Sequence, residues 1–221
     1  MDNKNIKINL LKHTIFQLFL SRRENMKIKL FIFDLDRTII VLPINWIKVK
    51  NEINEKLEIN EKLTPLFPKI EKLTYNNLKL RKKIFKIIEK EEIKIIKRIS
   101  FNPKIYEIFK ELKNRNYKIA LITFQSKRAA LKILKKLRIL RFFNNILTRE
   151  DSINREEQIR ITLNKFGFKP FEVIVVADKD EDILAAKKIG CKTIAVKNRK
   201  VKSNYKINNI IELSKFLDKI K

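Results

Sequence analysis

The sequence predicts an α/β protein with a Rossmann-like parallel sheet and an inserted helical cap. From residue 26 onward, short apolar segments alternate with amphipathic segments of helical spacing. The apolar segments are nearly continuous, which is typical of strands buried on both faces of a parallel sheet. One long interval, residues 42–100, carries helical spacing only. Because alternating strands and helices favour right-handed crossovers over a parallel sheet, we interpret this interval as an insertion.

This pattern divides the chain into three parts. Residues 1–25 are an N-terminal extension, interpreted as an appended helix or as a start-site artefact, because the first strand begins cleanly at Met26. Residues 26–41 and 101–221 form the α/β core, and residues 42–100 form the helical cap. The apolar stretch in the extension is far shorter than the roughly 20 residues that span a bilayer, so no transmembrane segment is expected.

Five strands and five helices are expected in the core. The strands are predicted at residues 28–33, 117–123, 145–148, 172–178 and 193–196. The helices are predicted at residues 102–115, 126–138, 155–166, 180–189 and 210–220. Gly167 and Gly190 follow two of these helices directly, where a left-handed C-terminal cap favours glycine.

Composition restricts the chemistry that is available. Hydrophobic residues make up 44% and charged residues 35% of the chain, which suits a folded protein. Cys191 is the only cysteine and His13 the only histidine, which excludes a disulfide framework, a zinc cluster and a His-based triad. The cysteine count favours a reducing, cytoplasmic setting. Catalysis would therefore use carboxylates, hydroxyls and basic side chains.

The net charge of +27 raises the question of a nucleic-acid partner. The basic residues are spread along the whole chain, and abundant Lys, Ile, Asn and Phe with only 2 Gly are typical of AT-rich codon usage. The sequence contains no motif of interleaved aromatic and basic residues. A solvated basic surface is thus favoured, and a non-catalytic, nucleic-acid-associated protein stays as the alternative.

Acidic and hydroxyl side chains follow three of the predicted strands. Asp34 and Asp36 come directly after the first strand, Thr123 ends the second, and Asp178 ends the fourth, with Asp182 one helical turn later. The carboxyl ends of parallel strands lie at one edge of a sheet, where such sheets bind ligands. An acid pair alone also suits a turn or a helix cap. Because like charges repel without a cation or a shared proton, the whole set predicts a metal site, a catalytic dyad or both.

These motifs resemble those of the haloacid dehalogenase-like (HAD) hydrolase superfamily over residues 28–221. The run Asp-Leu-Asp-Arg-Thr at residues 34–38 matches its DxDx[TV] motif. Thr123 matches the hydroxyl residue after its second strand, and residues 177–182 match its GDxxxD motif. Two departures are Arg37 and Ala177, which stand where the family usually has glycine.

The resemblance implies a Mg²⁺-dependent phosphatase that acts on a small phosphomonoester or a nucleotide. Asp34 would be the nucleophile that forms an aspartyl-phosphate, and Asp36 the general acid and base. Mg²⁺ would be held by Asp34, by the backbone carbonyl of Asp36 and by Asp178, with Asp182 as a further ligand or a partner of the basic residue. Thr123 would bind the phosphoryl group. A phosphomutase on the same scaffold stays open.

The family also carries a lysine at the head of the helix before the fourth strand, and this chain lacks it. Arg155 is the best replacement, because a guanidinium stays charged and can bind phosphate with two hydrogen bonds. Arg149 is the second candidate, while Lys165 lies too far along the predicted helix. The substrate and the oligomeric state are not predicted, since the cap would select the substrate and carries no recognition motif.

Overall fold

The computed structural model describes residues 27–197 and 200–219. The strands are β1 (Leu30–Phe33), β2 (Lys118–Ile122), β3 (Asn145–Leu147), β4 (Val173–Ala177), β5 (Lys192–Val196) and β6 (Tyr205–Ile207). All six are parallel and form one sheet in the order β3-β2-β1-β4-β5-β6. The predicted α/β class with a Rossmann-like sheet is confirmed. The predicted extension, residues 1–25, lies outside the described residues.

Strand β1 lies in the middle of the sheet because all its residues are apolar and can be buried on both faces. Phe31 and Phe33 belong to one hydrophobic cluster, and Leu30 and Ile32 to another. Strand β2 pairs with one side of β1 and β4 with the other. After β3 the chain therefore returns to the opposite side of β1. Such a reversal of strand order opens the crevice in which α/β sheets bind ligands.

Helices flank the sheet and fill the interval after β1. Within the described residues, the α-helices are α1 (Trp46–Leu57), α2 (Leu66–Leu73), α3 (Leu78–Ile95), α4 (Pro103–Asn114), α5 (Lys127–Lys136), α6 (Arg155–Phe166), α7 (Asp180–Ile189) and α8 (Ser214–Leu217). Gly167 and Gly190 end α6 and α7 with φ of 66° and 97°, the left-handed conformation that glycine adopts without steric penalty. None of the described helices is long and apolar enough to cross a membrane.

The insert, residues 42–100, contains α1, α2 and α3, which share a hydrophobic cluster of their own. Asn45 and Asn77 cap α1 and α3 by accepting hydrogen bonds from backbone N–H groups of the first turn. Phe124, just after β2, and Ile153, just before α6, pack against the same cluster. The insert is therefore attached at the carboxyl ends of the strands.

Two features at the C-terminal end differ from the sequence prediction. The short strand β6 was not predicted, because its three residues, Tyr-Lys-Ile, do not form an apolar run, and its formation depends on pairing with β5. The predicted helix at residues 210–220 is wrong in extent. A 3₁₀ turn over Ile210–Leu213 precedes the short α8, and the side chain of Asn209 caps that turn.

Candidate active site

The crevice beside β1 and β4 collects the predicted acids. Asp34 follows β1 and Asp178 follows β4, and the two strands pair in parallel. The backbone N–H of Asp34 donates to the carbonyl of Val176 at 3.1 Å, so the end of β1 is fixed to β4. Asp182 lies in the first turn of α7 and is buried. The structure thus brings these side chains to one edge of the sheet, as the strand ends predict.

The loop after β1 turns tightly around Asp36. Arg37 has a φ of 62°, and its N–H donates to the carbonyl of Ile40 at 2.7 Å. A residue with a Cβ is disfavoured in this left-handed conformation by roughly 1–2 kcal/mol, so the usual glycine of the family has a physical reason at Arg37. Asp36 Oδ1 accepts a hydrogen bond from the N–H of Leu42 at 2.9 Å. The loop therefore fixes the orientation of the Asp36 carboxylate.

Arg155, the first residue of α6, is buried among the acids. Its Nη2 donates to Asp34 Oδ1 at 3.0 Å, and its Nε donates to Asp182 Oδ1 at 2.8 Å. Its Nη1 donates to Gln158 Oε1 at 2.8 Å, and the guanidinium carbon lies 4.2 Å from the centroid of the Phe124 ring. Every nitrogen of this guanidinium is therefore hydrogen-bonded, and its position is fixed relative to Asp34.

Gln158 fixes the other side of the Arg155 guanidinium and was missed by sequence reasoning. Its Nε2 donates to the backbone carbonyls of Thr123, Thr148 and Ser152 at 3.1, 3.2 and 2.8 Å. Gln158 lies one helical turn after Arg155, a spacing that could have suggested the contact. The loops after β2 and β3 are thus tied to the same guanidinium.

Burial and repulsion raise the pKa of the central carboxylates. Burial is the main reason that the pKa of Asp34 rises from 3.8 to about 7, although Arg155 opposes the shift. Asp182 and Asp178 add like-charge repulsion. Burial also raises the pKa of Asp36, which the hydrogen bond from Leu42 opposes.

Asp178 shows the same effect. Burial raises its pKa to about 6; the positive charge of Lys179 opposes the shift, and the carboxylates of Asp182 and Asp36 add to it. Burial is thus the main cause of both shifts, and the like-charge repulsion that adds to it is what a further cation would relieve.

The donor set tests whether the residues fit the Mg²⁺ that the resemblance implies. Within the described residues no three His, Cys, Asp or Glu side chains form a ready metal site. The implied set needs only the carboxylates of Asp34 and Asp178, because Asp36 would contribute its backbone carbonyl. These are the oxygen donors that Mg²⁺ prefers. Asp182 Oδ2 is buried and has no hydrogen-bond partner among the described residues. The residues therefore fit a divalent cation.

Thr123 lies beyond the end of β2 and is fully buried. Its hydroxyl donates to Gln125 Oε1 and accepts a hydrogen bond from the Gln125 N–H at 3.3 Å. Ser126 caps α5 by accepting a hydrogen bond from the N–H of Ala129 at 3.1 Å. The hydroxyl of Thr123 is therefore next to a helix N-terminus, a position that favours anions.

The other two candidate cations have different partners. Arg149 donates through Nη1 to Glu92 Oε1 at 2.6 Å, and both side chains are fully buried. Lys165 is exposed, and its Nζ donates to Asn145 Oδ1 at 2.7 Å. Of the three candidates, Arg155 is the one whose guanidinium contacts Asp34.

A cavity of about 320 Å³ opens beside Asp36 and Asp182, between the sheet edge and the insert. Its charged lining consists of Asp36, Arg37, Lys50, Lys179, Glu181 and Asp182. The rest of the lining, which we call the apolar wall, consists of Trp46, Pro65, Leu66, Phe67, Pro68 and Phe124. The wall was missed by sequence reasoning, because its residues come from α1, from α2 and the residue before it, and from the loop after β2, and they share no motif.

Comparisons with known proteins are consistent in fold and family. A family model described as haloacid dehalogenase-like hydrolase matches residues 31–196, most of the chain. Among curated proteins, the pyrophosphatase PpaX of Halalkalibacterium halodurans is 34% identical over 95 residues, which cover 42% of this chain and 44% of that relative. The matched segment thus spans less than half the length of the relative.

Solved structures resemble the chain over most of its length. A hydrolase from Pseudomonas syringae has a TM-score of 0.66 at 19% identity, covering 87% of this chain and 99% of that one. The HAD hydrolase YfnB of Bacillus subtilis, described as bound to magnesium, has a TM-score of 0.56 at 14% identity, with coverages of 87% and 99%. At these identities the likeness shows the fold alone.

Proposed function

The chain belongs to the haloacid dehalogenase-like hydrolases, and from that premise we propose that it is a Mg²⁺-dependent phosphatase that hydrolyses small phosphomonoesters through an aspartyl-phosphate on Asp34. The observation that carries the proposal is the 3.0 Å contact between Arg155 Nη2 and Asp34 Oδ1, in the crevice where the strand order reverses. A buried carboxylate that is held by a fixed cation is oriented for attack, and the cation is oriented for the phosphoryl oxygens.

In the first step, a carboxylate oxygen of Asp34 forms a bond to phosphorus while the bond to the ester oxygen breaks. Asp36 gives its proton to the departing alcohol. Burial raises the pKa of Asp36, which favours the protonated form that this step needs. The hydrogen bond from the Leu42 N–H fixes the direction of the Asp36 carboxyl group.

In the second step, water replaces Asp34 on phosphorus. Asp36, now deprotonated, takes a proton from the attacking water, and the products are inorganic phosphate and a regenerated Asp34 carboxylate. The charge of the transferring phosphoryl group spreads over three oxygens. Arg155 would contact one of these, and Thr123, after its hydroxyl turns away from Gln125, would contact another.

Asp34, Asp178 and the carbonyl of Asp36 would hold Mg²⁺. When bound, the metal would neutralise part of the negative charge between nucleophile and substrate. Asp182 would orient Arg155 through the 2.8 Å contact with Nε. A bound Mg²⁺ would also relieve the repulsion among the carboxylates of Asp34, Asp178 and Asp182.

We further propose that the insert, residues 42–100, acts as a cap over residues 26–41 and 101–221. The support is its separate hydrophobic cluster and its place at the carboxyl ends of the strands. Residues of the insert line the cavity beside Asp36, so the cap would contact the alcohol part of the substrate. Water exclusion by such a cover strengthens the electrostatic interactions inside.

Asp34→Asn tests the proposal. We expect this variant to lose phosphate release from an aryl phosphate in the presence of Mg²⁺, because the amide removes the nucleophile and a metal ligand while keeping the size of the side chain. Intact-mass measurement of the wild type during turnover should detect the phosphorylated chain, and the variant should not form it.

Asp218→Asn is the matched control. Asp218 is an exposed acid that pairs with Arg115 outside the crevice, so this variant should keep wild-type turnover. Wild-type turnover by Asp34→Asn, or a wild type that releases no phosphate from any ester with Mg²⁺, would contradict the proposed function.

A further inference from the structure

The apolar wall lies directly beside the proposed phosphate site. Phe124 follows Thr123 in the chain, and its ring centroid is 4.8 Å from that of Phe67 in α2. The guanidinium of Arg155 lies 4.2 Å from the centroid of the same Phe124 ring. Phe124 is thus fixed by contacts with both the cap and the site. An aromatic surface with a fixed position therefore lies next to the place where the phosphate would bind.

The part of the wall that the insert provides is also fixed by contacts within the insert. Lys50 of α1 donates through Nζ to Thr64 Oγ1 at 2.7 Å, immediately before Pro65. Trp46 and Leu66 are both half-buried, pack against the cluster of the insert and line the cavity. The shape of the wall is therefore set before a ligand enters, which lowers the entropy lost on binding.

The wall provides no hydroxyl, amide or charge from its side chains. The indole N–H of Trp46 is the one hydrogen-bonding side-chain group of the wall. A leaving group rich in hydroxyls would lose its water there and regain few hydrogen bonds, which disfavours polyol phosphates. A flat apolar ring would instead replace water on the aromatic surfaces.

The charged lining argues against a second phosphate group as well. Its six residues balance, since three are basic and three are acidic. Arg37 and Lys179 both act on the carboxylate of Asp36, whose pKa each of them lowers. Even with Asp36 protonated, the lining has an excess of only one positive charge, which is little to receive the highly charged leaving group of pyrophosphate.

We propose that this cavity selects phosphomonoesters whose alcohol carries a flat, largely apolar ring, over polyol phosphates and over pyrophosphate. The inference rests on the proposed function for the position of the phosphate group, and on the apolar wall for the preference for a ring.

The hydrolysis test uses substrates with matched leaving groups. Benzyl phosphate and glycerol 1-phosphate both release a primary alcohol, so their difference reports the cavity more than intrinsic reactivity. We expect kcat/KM for benzyl phosphate to exceed that for glycerol 1-phosphate and for pyrophosphate by about tenfold or more. Leu66→Ala should lower this preference roughly three- to tenfold. Ile47→Ala, an exposed neighbour on α1, should leave it unchanged.

A binding test separates the inference from catalysis. Trp46 is the only tryptophan of the chain and lines the cavity, so its fluorescence reports ligands that enter. Benzylphosphonate and methylphosphonate share a phosphate mimic that cannot be hydrolysed. We expect benzylphosphonate to bind the wild type about tenfold more tightly and to change the fluorescence, and Leu66→Ala to reduce that advantage while keeping the probe.

The outcomes are distinguishable. Equal binding of the two phosphonates, with hydrolysis of any ester intact, overturns the selectivity and leaves the proposed function in place. Preferential binding of benzylphosphonate without hydrolysis of any ester supports the selectivity and overturns the proposed function. Pyrophosphate hydrolysed faster than benzyl phosphate, together with equal phosphonate binding, would assign the cavity to a phosphate leaving group.

Discussion

Two buried arginines, Arg149 in the loop after β3 and Arg155 at the start of α6, have different surroundings. Arg155 contacts Asp34 and Asp182 in a crevice where acids outnumber bases, and Phe124 beside it lines the cavity. Arg149 forms a fully buried pair with Glu92 of α3. Burial alone therefore does not predict which arginine acts in the crevice. The hydrogen-bond partners distinguish the two, since within the described residues only Arg155 contacts Asp34.

The Arg149 pair joins the insert to the core. Its Nη1 also donates to the carbonyl of Phe124 at 3.1 Å, and its Nη2 to the carbonyl of Phe85 at 3.0 Å. Glu92 Oε2 accepts a hydrogen bond from the N–H of Ser126 at 3.1 Å, just before α5. Burial raises the pKa of Glu92 even though Arg149 opposes it, so the charge of this carboxylate depends on the pair. We interpret Arg149 as a structural residue that connects the insert to the core.

Arg149→Ala should therefore have the largest effect on stability. Removing one partner of a buried ion pair leaves an uncompensated charge, which costs about 3–5 kcal/mol of unfolding free energy. Urea unfolding measures this loss. Activity per folded molecule should fall far less, because Arg149 makes no contact with Asp34 in the described structure.

Arg160→Ala is the matched control, because Arg160 is an exposed arginine on α6. Its unfolding free energy should stay within about 0.5 kcal/mol of the wild type. A stable Arg149→Ala protein that has lost phosphatase activity would reverse the comparison and assign Arg149 to the reaction.

Arg155→Ala should mainly affect the reaction. Loss of one charged group that stabilises the transferring phosphoryl oxygens lowers activity by about ten- to a thousandfold. Its effect on stability with Mg²⁺ should be smaller than that of Arg149→Ala, because Mg²⁺ held by Asp34 and Asp178 would replace part of the lost positive charge. Phosphate release at saturating Mg²⁺ and urea unfolding of the same samples measure the two effects.

Two further variants check the Arg155 prediction. Arg155→Lys should recover part of the activity, because it keeps the charge but loses the paired geometry. Lys165→Ala should leave activity unchanged, since this exposed lysine contacts Asn145. Near-wild-type turnover by Arg155→Ala, with a loss in Lys165→Ala, would show that our choice of cation is wrong.

The sequence predicts the sheet and the place of the acids well, because both depend on local pattern. The end of a buried strand locates Asp34 and Asp178 without knowledge of the fold. The partners of the arginines could not be predicted this way. Glu92 is far from Arg149 in the chain and lies on an ordinary charged helix, so only packing of the insert against the core brings them together. Phe124 likewise has no local signal that distinguishes it from a core residue.

The third prediction concerns pH and Mg²⁺, and Mg²⁺ should act on the acid crevice and not on the Glu92 pair. The pKa of Asp34 is raised from 3.8 to about 7, so the folded state binds this proton more tightly than the unfolded chain. In EDTA, its contribution therefore favours folding at low pH and is lost as pH rises from about 4 to about 7. Melting curves of the wild type minus those of Asp34→Asn isolate this contribution from other titrating groups.

Mg²⁺ should then reverse the loss above pH 7. At a hundred times its dissociation constant, a ligand of the folded state alone adds about 2.7 kcal/mol. Arg149→Ala keeps the acid crevice, so it should gain as much from Mg²⁺ as the wild type and stay less stable by the same difference. Asp178→Asn, which loses an implied ligand, should gain less. If Mg²⁺ instead restored the unfolding free energy of Arg149→Ala to that of the wild type, the two arginines would belong to one coupled network. The contrast between Arg149 and Arg155 would then fail.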